Sequence, residues 1–239
     1  MVENAKDIER LLETKQCQGG DLSGANLSEF DLSGADLSGA KLVCANLSNT
    51  NLSGANLSGT DLSFANLVNA DLNRAAIRGA DARGINLFET QLNGANLSGM
   101  DLTFANLINA SLSEANLRAV KLVGANLIGA KLNSANLSSA DLSGANLSTA
   151  NLVSAKLLST DLSEAKLVRA DLSDANLIGA NLTDANLSNA NLLNTNLASA
   201  LLLNAYLVGA NITGTQLSNS QTEGAIGLVV DGQLAADVS

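Results

Sequence analysis

The 239-residue chain has no histidine, no proline and no tryptophan, and only 2% of its residues are aromatic. Without histidine the commonest general base of enzymes is missing. With so few large rings, a conventional mixed core is not expected either, although 46% hydrophobic residues suffice to fill an interior of some kind. Cysteine is scarce: Cys17 and Cys44 fit neither a disulfide framework nor a four-ligand zinc site and are read as reduced thiols. Positive charge is scarce too. Thirteen basic residues against 23 acidic ones give a net charge of −10, which argues against a nucleic-acid partner or an anionic membrane surface. Nowhere do eighteen apolar residues run together, and the opening MVENAKDIERLLETKQ lacks the apolar centre of a signal peptide. A cytoplasmic protein with no membrane association is expected.

Catalytic signatures are equally absent. No serine sits in a G-x-S-x-G elbow, no loop resembles an EF-hand, and the glycines do not follow the G-x-G-x-x-G spacing that cradles phosphates. Carboxylate pairs do occur, but they recur with the period of the sequence itself. The chain is therefore read as not an enzyme, with no cofactor and no metal.

What is present is one five-residue phrase. Centres placed on Leu22 and every fifth residue to Leu217 give forty units without insertion or deletion, and only Ile77, Ala82 and Ile212 depart from Leu. Ala stands two residues before most centres, with Thr50, Thr60, Thr90 and Thr160 among the exceptions, and Asn or Asp usually lies between. The apolar spacing alternates two and three, matching neither a helix nor a flat strand. An odd unit would turn its inward residues outward in a straight strand, so the chain must turn a corner inside every unit. Gly24, Gly34, Gly39 and Gly54 mark that corner. Coils of such units stack through parallel ladders about 4.8 Å apart, some 48 Å for ten coils. Three, four or five sides all satisfy this parity.

The A-(D/N)-L-x-x phrase over residues 20–219 resembles the pentapeptide-repeat family, and LLETKQCQGGDLSGANL is similar to the opening of several cyanobacterial members, with Gly where a second cysteine would be expected. The resemblance implies an all-β fold, a right-handed quadrilateral parallel β-helix of about ten four-sided coils with a short N-terminal α-helical cap. The expected layout is a helical cap over 1–19, the solenoid over 20–219 and a C-terminal cap or tail over 220–239. Ile8, Leu11 and Leu12 share one helical face that can cover the first coil. At the other end Ile226, Leu228, Val229 and Val230, before a turn at Asp231-Gly232, serve as a cap, with a dimer contact as the lesser alternative. A monomer is expected over a homodimer.

Stacking by twenty sorts the outer residues into columns. Asp21, Asp61, Asp81, Asp101, Asp141 and Asp161 share one column with Lys41 and Lys121, and Asn26 to Asn146 form a second in which amides can bond along a ladder. Ala82 leaves a hole that the oversized Ile85 and Met100 are expected to fill. Arg74, Arg78 and Arg83, with Arg118, form either a site for an acidic partner or a solvated, charge-balancing face.

Function is then sought on surfaces. The first reading is a structural and protein-interaction scaffold presenting a flat solenoid face to an unidentified protein partner. A spacer without a specific partner is also open. A second reading, a DNA-mimic inhibitor of a DNA-binding enzyme, follows from the resemblance: some relatives imitate duplex DNA and bind DNA gyrase, commonly with a C-terminal dimer module and in some cases with loops projecting between coils. Here residues 21–219 carry sixteen acidic and ten basic side chains, and no loop interrupts the register. The protein-binding residues expected are Phe64, Val68, Phe88, Phe104, Ile108 and Ile128, which the two-three spacing turns outward onto one face carrying a single charge, Glu89, from Cys44 to Thr149. The alternative is that the stripe serves only strand pairing, worth roughly 0.2–1 kcal/mol a pair.

Overall fold

Each rung of the ladder pairs in parallel with the residue twenty positions later, from Gln16 with Asp36 to Tyr206 with Ile226. Twenty residues in units of five make four sides per turn, and the molecule is a right-handed quadrilateral β-helix. The computed structural model describes residues 4–230 together with 233 and 234. We number the sides by their lowest rungs: the first starts at Asp21, the second at Asn26, the third at Asp31 and the fourth at Asp36.

Why this phrase makes this turn is seen by following the five backbone N–H groups of one unit, Ala45 to Asn49. The Ala45 N–H donates to Leu42 O at 2.9 Å and closes a β-turn. Asn46 donates down to Ala25 O at 2.9 Å, while Leu47 and Asn49 donate up to Asn66 O and Val68 O at 2.7 and 2.9 Å. The fifth, Ser48, has no carbonyl to reach, and the Asn46 side chain accepts its N–H through Oδ1 at 3.2 Å. Every donor is thus satisfied, as a buried backbone requires. The same short bond recurs where the Ser23, Ser33 and Ser143 N–H groups donate to Oδ1 of Asp21, Asp31 and Asp141. Asn or Asp is favoured before the central Leu chiefly for this local bond; lysine has no acceptor and cannot supply it, yet Lys41 and Lys121 keep their places in the ladder.

The corner residue two places after each centre has positive φ whether or not it is glycine. Gly24 stands at 65°, but Cys44, Phe64, Glu89 and Phe104 stand at 55°, 57°, 56° and 57°. With a turn bond and a left-handed third residue, the corner has the pattern of a type II turn.

Inside, the central Leu and the preceding Ala form one continuous column of buried side chains. Thr in the Ala slot is tolerated because its hydroxyl finds a carbonyl: Thr50 Oγ1 donates to Leu27 O and Thr90 Oγ1 to Leu67 O, both at 2.7 Å. Ala82, Ile85, Met100 and Val120 are all buried.

The lower end is closed by α1 (Ala5–Thr14), which buries Leu11 and part of Ile8, while Leu12 stays on the solvent side. Polar groups finish the seal over an edge that would otherwise be unpaired. Asp7 Oδ2 accepts the Asp21 N–H at 2.9 Å, Asn4 Nδ2 donates to Ser23 O at 3.0 Å, and Lys15 Nζ donates to Ser33 O at 3.0 Å. Cys17 occupies the first central position, fully buried, with Arg10 Nη2 at 3.4 Å from its sulfur and at 2.9 Å from Asp7 Oδ1. At the upper end Leu228 is buried, and β1 (Val229–Val230) pairs antiparallel with β2 (Gln233–Leu234). Ile212 and Leu217 in the last coil are only partly buried. The expected turn residues Asp231 and Gly232 lie outside the described residues.

Candidate protein-interaction face

The second side is built from three parallel columns. Its corner column, shared with the first side, runs Cys44, Phe64, Gly84, Phe104, Gly124. Its rung column is the asparagine series, and the column after the centre contains Val68, Phe88, Ile108 and Ile128. The structure therefore gathers all six expected residues on one side over four consecutive coils. They do not behave alike. Val68, Phe88, Ile108 and Ile128 are half-buried, whereas Phe64 and Phe104 are 66% and 72% exposed.

Both exposed rings lean along the axis onto a glycine of the next coil. A Cβ built on Gly84 would lie 2.8 Å from the Phe64 ring, and one on Gly124 would lie 2.6 Å from the Phe104 ring. Glycine at those two corners is favoured by the angle, and the space under the seated ring demands it.

Between the columns the asparagine amides bond along the axis, from Asn46 to Asn26 at 3.1 Å, Asn66 to Asn46 at 3.3 Å, Asn86 to Asn66 at 3.4 Å and Asn106 to Asn86 at 3.0 Å. The bonded ladder spans the first five asparagines of the seven in the column; Asn126 and Asn146 make no axial bond and keep the one in which Oδ1 accepts the turn N–H, as it does in the other five. The amides leave the middle of this side flat and uncharged from Asn26 to Asn146.

The four arginines and the acidic column singled out in the sequence do not assemble into a rival site. Arg83 lies on the first side and folds onto Asp81, with Nη2–Oδ2 at 2.7 Å and Nε–Oδ1 at 3.0 Å, and this bond holds the Asp81 carboxyl below the ordinary carboxylate range. Arg74 stands at a corner of the third side, and Arg78 and Arg118 stand on the fourth, so the four arginines spread over three sides. The acidic column on the first side is interrupted by Lys41 and Lys121, as the bridges Asp21–Lys41 and Asp101–Lys121 show. Among the described residues no group of three or more Cys, Asp or Glu side chains is placed to hold a metal ion, and no helix is long and apolar enough to cross a membrane.

Sequence reasoning missed a second apolar cluster on the same side near its upper end. Tyr206 and Ile226 are paired rungs, each 47% exposed, and Val208 beside them is 54% exposed. The signal was available in the only tyrosine of the chain, which stands in the column that asparagine fills from Asn26 to Asn146. Between the two clusters lie Glu164, Lys166, Arg169 and Asp184.

The pentapeptide-repeat family model matches this chain in eight overlapping copies between residues 21 and 221. Among solved structures the chain is similar to HetL, a pentapeptide repeat protein involved in heterocyst differentiation regulation from the cyanobacterium Nostoc sp. strain PCC 7120. The two share 36% identity over 98% of this chain and 100% of that one, with a TM-score of 0.43. It is also similar to alr5209, a pentapeptide repeat protein from Nostoc PCC 7120, at 39% identity over 41% of this chain and 78% of that one, with a TM-score of 0.37. A third similarity, to the plasmid-mediated fluoroquinolone resistance protein QnrB1, has 19% identity over 81% of this chain and 90% of that one, with a TM-score of 0.33. No curated protein matches the chain. The repeat seen in the letters, the twenty-residue ladder and the family match over almost the whole solenoid agree, and the chain belongs to the pentapeptide-repeat family.

Proposed function

We propose that the chain is a non-enzymatic protein-interaction scaffold of the cytoplasm, whose second side, through Phe64, Val68, Phe88, Phe104, Ile108 and Ile128, docks a protein partner. The observation that carries this is the placement of the two corner rings. A bulky residue held in the left-handed region costs about 1–3 kcal/mol, and such strain is kept where the surroundings or a function demand it. Glycine meets the same corner without that cost in the neighbouring coils, at Gly84 and Gly124. Phe64 and Phe104 nevertheless stay there and remain mostly exposed, contributing little to the core. Strand pairing accounts for the half-buried column from Val68 to Ile128, but not for the two rings.

Residence in the cytoplasm is supported by the two free thiols, Cys17 and Cys44. Imitation of duplex DNA has little support, since the acidic column is broken by lysines and the apolar side carries only Glu89 over its middle coils. The test is a paired measurement on the variant Phe88→Ser, Ile108→Ser. Thermal melting within a few degrees of wild type, together with loss of protein capture in a pull-down from host lysate, is the expected result. Unchanged capture, or a melt far below wild type, assigns the stripe to folding alone.

A further inference from the structure

We propose that the occupant of the second side is a second copy of this chain, packed face to face and antiparallel about a two-fold axis that runs along the strand direction between the Gly84 and Phe104 rungs. This rests on the docking role proposed for that side and names its partner; it departs from the monomer expected from sequence.

The support is that the side is complementary to itself in this one register. A two-fold contact must match residue i to j and j to i. Reversing the coil order about that axis sets Phe64 opposite the partner's Gly124 and Phe104 opposite the partner's Gly84. Each ring leans over the next coil, so the Phe64 ring, seated on Gly84, and the partner's Phe104 ring, seated on its own Gly124, pass each other and lie side by side about one coil, ~4.8 Å, apart. Offset aromatic contact of this kind is favourable. In the flanking column Phe88 falls opposite the partner's Ile108, and the flat amide columns face each other without charge from Asn46 to Asn146, with Asn26 opposite the partner's Lys166 at the rim. At the rim, Glu29 falls opposite the partner's Arg169. Both are exposed corner residues, and neither takes part in an ion pair among the described residues. The only charge inside the patch, Glu89, faces the partner's Asn109 and so meets no like charge.

Eight rungs about 4.8 Å apart across a side about 12 Å wide give roughly 450 Å² per partner. The total of roughly 900 Å² lies below the ~1,200 Å² of stable complexes, so the dimer is weak and concentration-dependent. It is readily reversible, and a different partner with a larger footprint would displace it.

The register can be read directly by cross-linking. Cys44 is an exposed corner thiol, and in this arrangement it faces the partner's Gly144. A Cβ at Gly144 meets nothing within 4 Å, and Cys44 shows that the corner accepts cysteine. The variant Gly144→Cys, treated with a bismaleimide reaching about 10 Å, is expected to give a covalent dimer. An intramolecular link is excluded because the two positions lie five coils, about 24 Å, apart on one chain. Wild type, which has Cys44 alone on this side, is expected to give none. Sedimentation from roughly 5 to 500 µM is expected to show a reversible monomer–dimer equilibrium, abolished in Phe88→Ser, Ile108→Ser and weakened several-fold in Arg169→Glu. The double charge swap Glu29→Arg, Arg169→Glu is expected to restore it.

A wild-type Cys44–Cys44 cross-link, or a Gly144→Cys variant that stays uncross-linked while it dimerises, overturns the antiparallel register. Wild type that is monomeric at every concentration overturns self-association altogether. If that monomer still captures another protein, and Phe88→Ser, Ile108→Ser loses the capture, the docking side stands with a different occupant. If capture too is unaffected, both proposals fall.

Discussion

Replacing Phe64 and Phe104 together by glycine is a direct test of why those rings are there. Three effects compete at each corner. Relief of left-handed strain stabilises the variant by about 1–2 kcal/mol. Loss of the ring's contact with the next coil opposes it: with 66% and 72% of each residue exposed, about a third of a side chain worth 150–250 Å² is buried, near 60 Å². At 25 cal/mol per Å² this amounts to about 1.5 kcal/mol. The greater freedom of glycine in the unfolded chain costs a further 0.5–1 kcal/mol or so. The sum is a net change of about 1 kcal/mol or less per site. For a chain of this length, 1 kcal/mol moves Tm by about 2–4 °C, so the double variant should melt within about 8 °C of wild type. Differential scanning calorimetry, run beside the pull-down and the sedimentation series, reads both quantities. Association should vanish while the fold stands. A fall in Tm beyond about 15 °C would refute the reasoning, because the rings would then be structural pillars.

Three further outcomes can be checked on the isolated protein. Gly20→Ala places a Cβ against the Cys17 sulfur and 3.1 Å from Arg10 Nη2, so it should loosen α1, seen as faster hydrogen exchange at Leu11 and a melt lowered by several degrees. Asp21, Asp31 and Asp36 have carboxyls held below their ordinary range, first by side-chain bonds from Ser23, Ser33 and Ser38. Stability from these groups is complete above the unfolded value near 3.9 and is lost as pH falls through the depressed folded values, and replacing all three by Asn should flatten that acid limb in melts taken from pH ~6 down to ~2. Restoring the consensus with Ala82→Leu should destabilise by about 1–3 kcal/mol in urea titrations, since Ile85 and Met100 already occupy the interior nearby; a gain in stability would show that the hole was left empty.

The unit, the inward residues and the position of the corner were legible because one strict period governs all of them. Parity alone could not count the sides; that number depends on how sharply each corner bends, a property of backbone angles and not of apolar spacing. Glycine was read as the reason for the corner, yet Phe64, Glu89 and Arg169 adopt the same angle, because ladder bonds on either side of the corner hold it there. The asparagine column was read as an axial ladder, whereas its more general task is the bond to the N–H two residues on, which Asp performs as well. Leu12 shares a helical face with Leu11 in the sequence, but only Leu11 reaches the coil, since a narrow square end needs a narrow stripe. The site is legible to the same degree. Its six members share a side by arithmetic, while the contrast between four half-buried residues and two strained, exposed rings exists only in three dimensions.

The quarter-turn corner also governs how such a chain can change length. Because the ladder and turn bonds of a unit close either within it or about twenty residues away, a whole coil can be added or lost while each remaining side keeps its columns. A single unit of five cannot. Inserted after Ala95, for example, it would rotate every later rung by one side, carrying Phe104 and Ile108 a quarter turn from Phe64 and Val68 and splitting the apolar surface into two halves that look in different directions. Height is therefore free to drift in steps of one coil, but the compass bearing of each residue is fixed by its number of units, and a surface spread over four coils constrains the chain against the smallest duplications its own repeat makes easy.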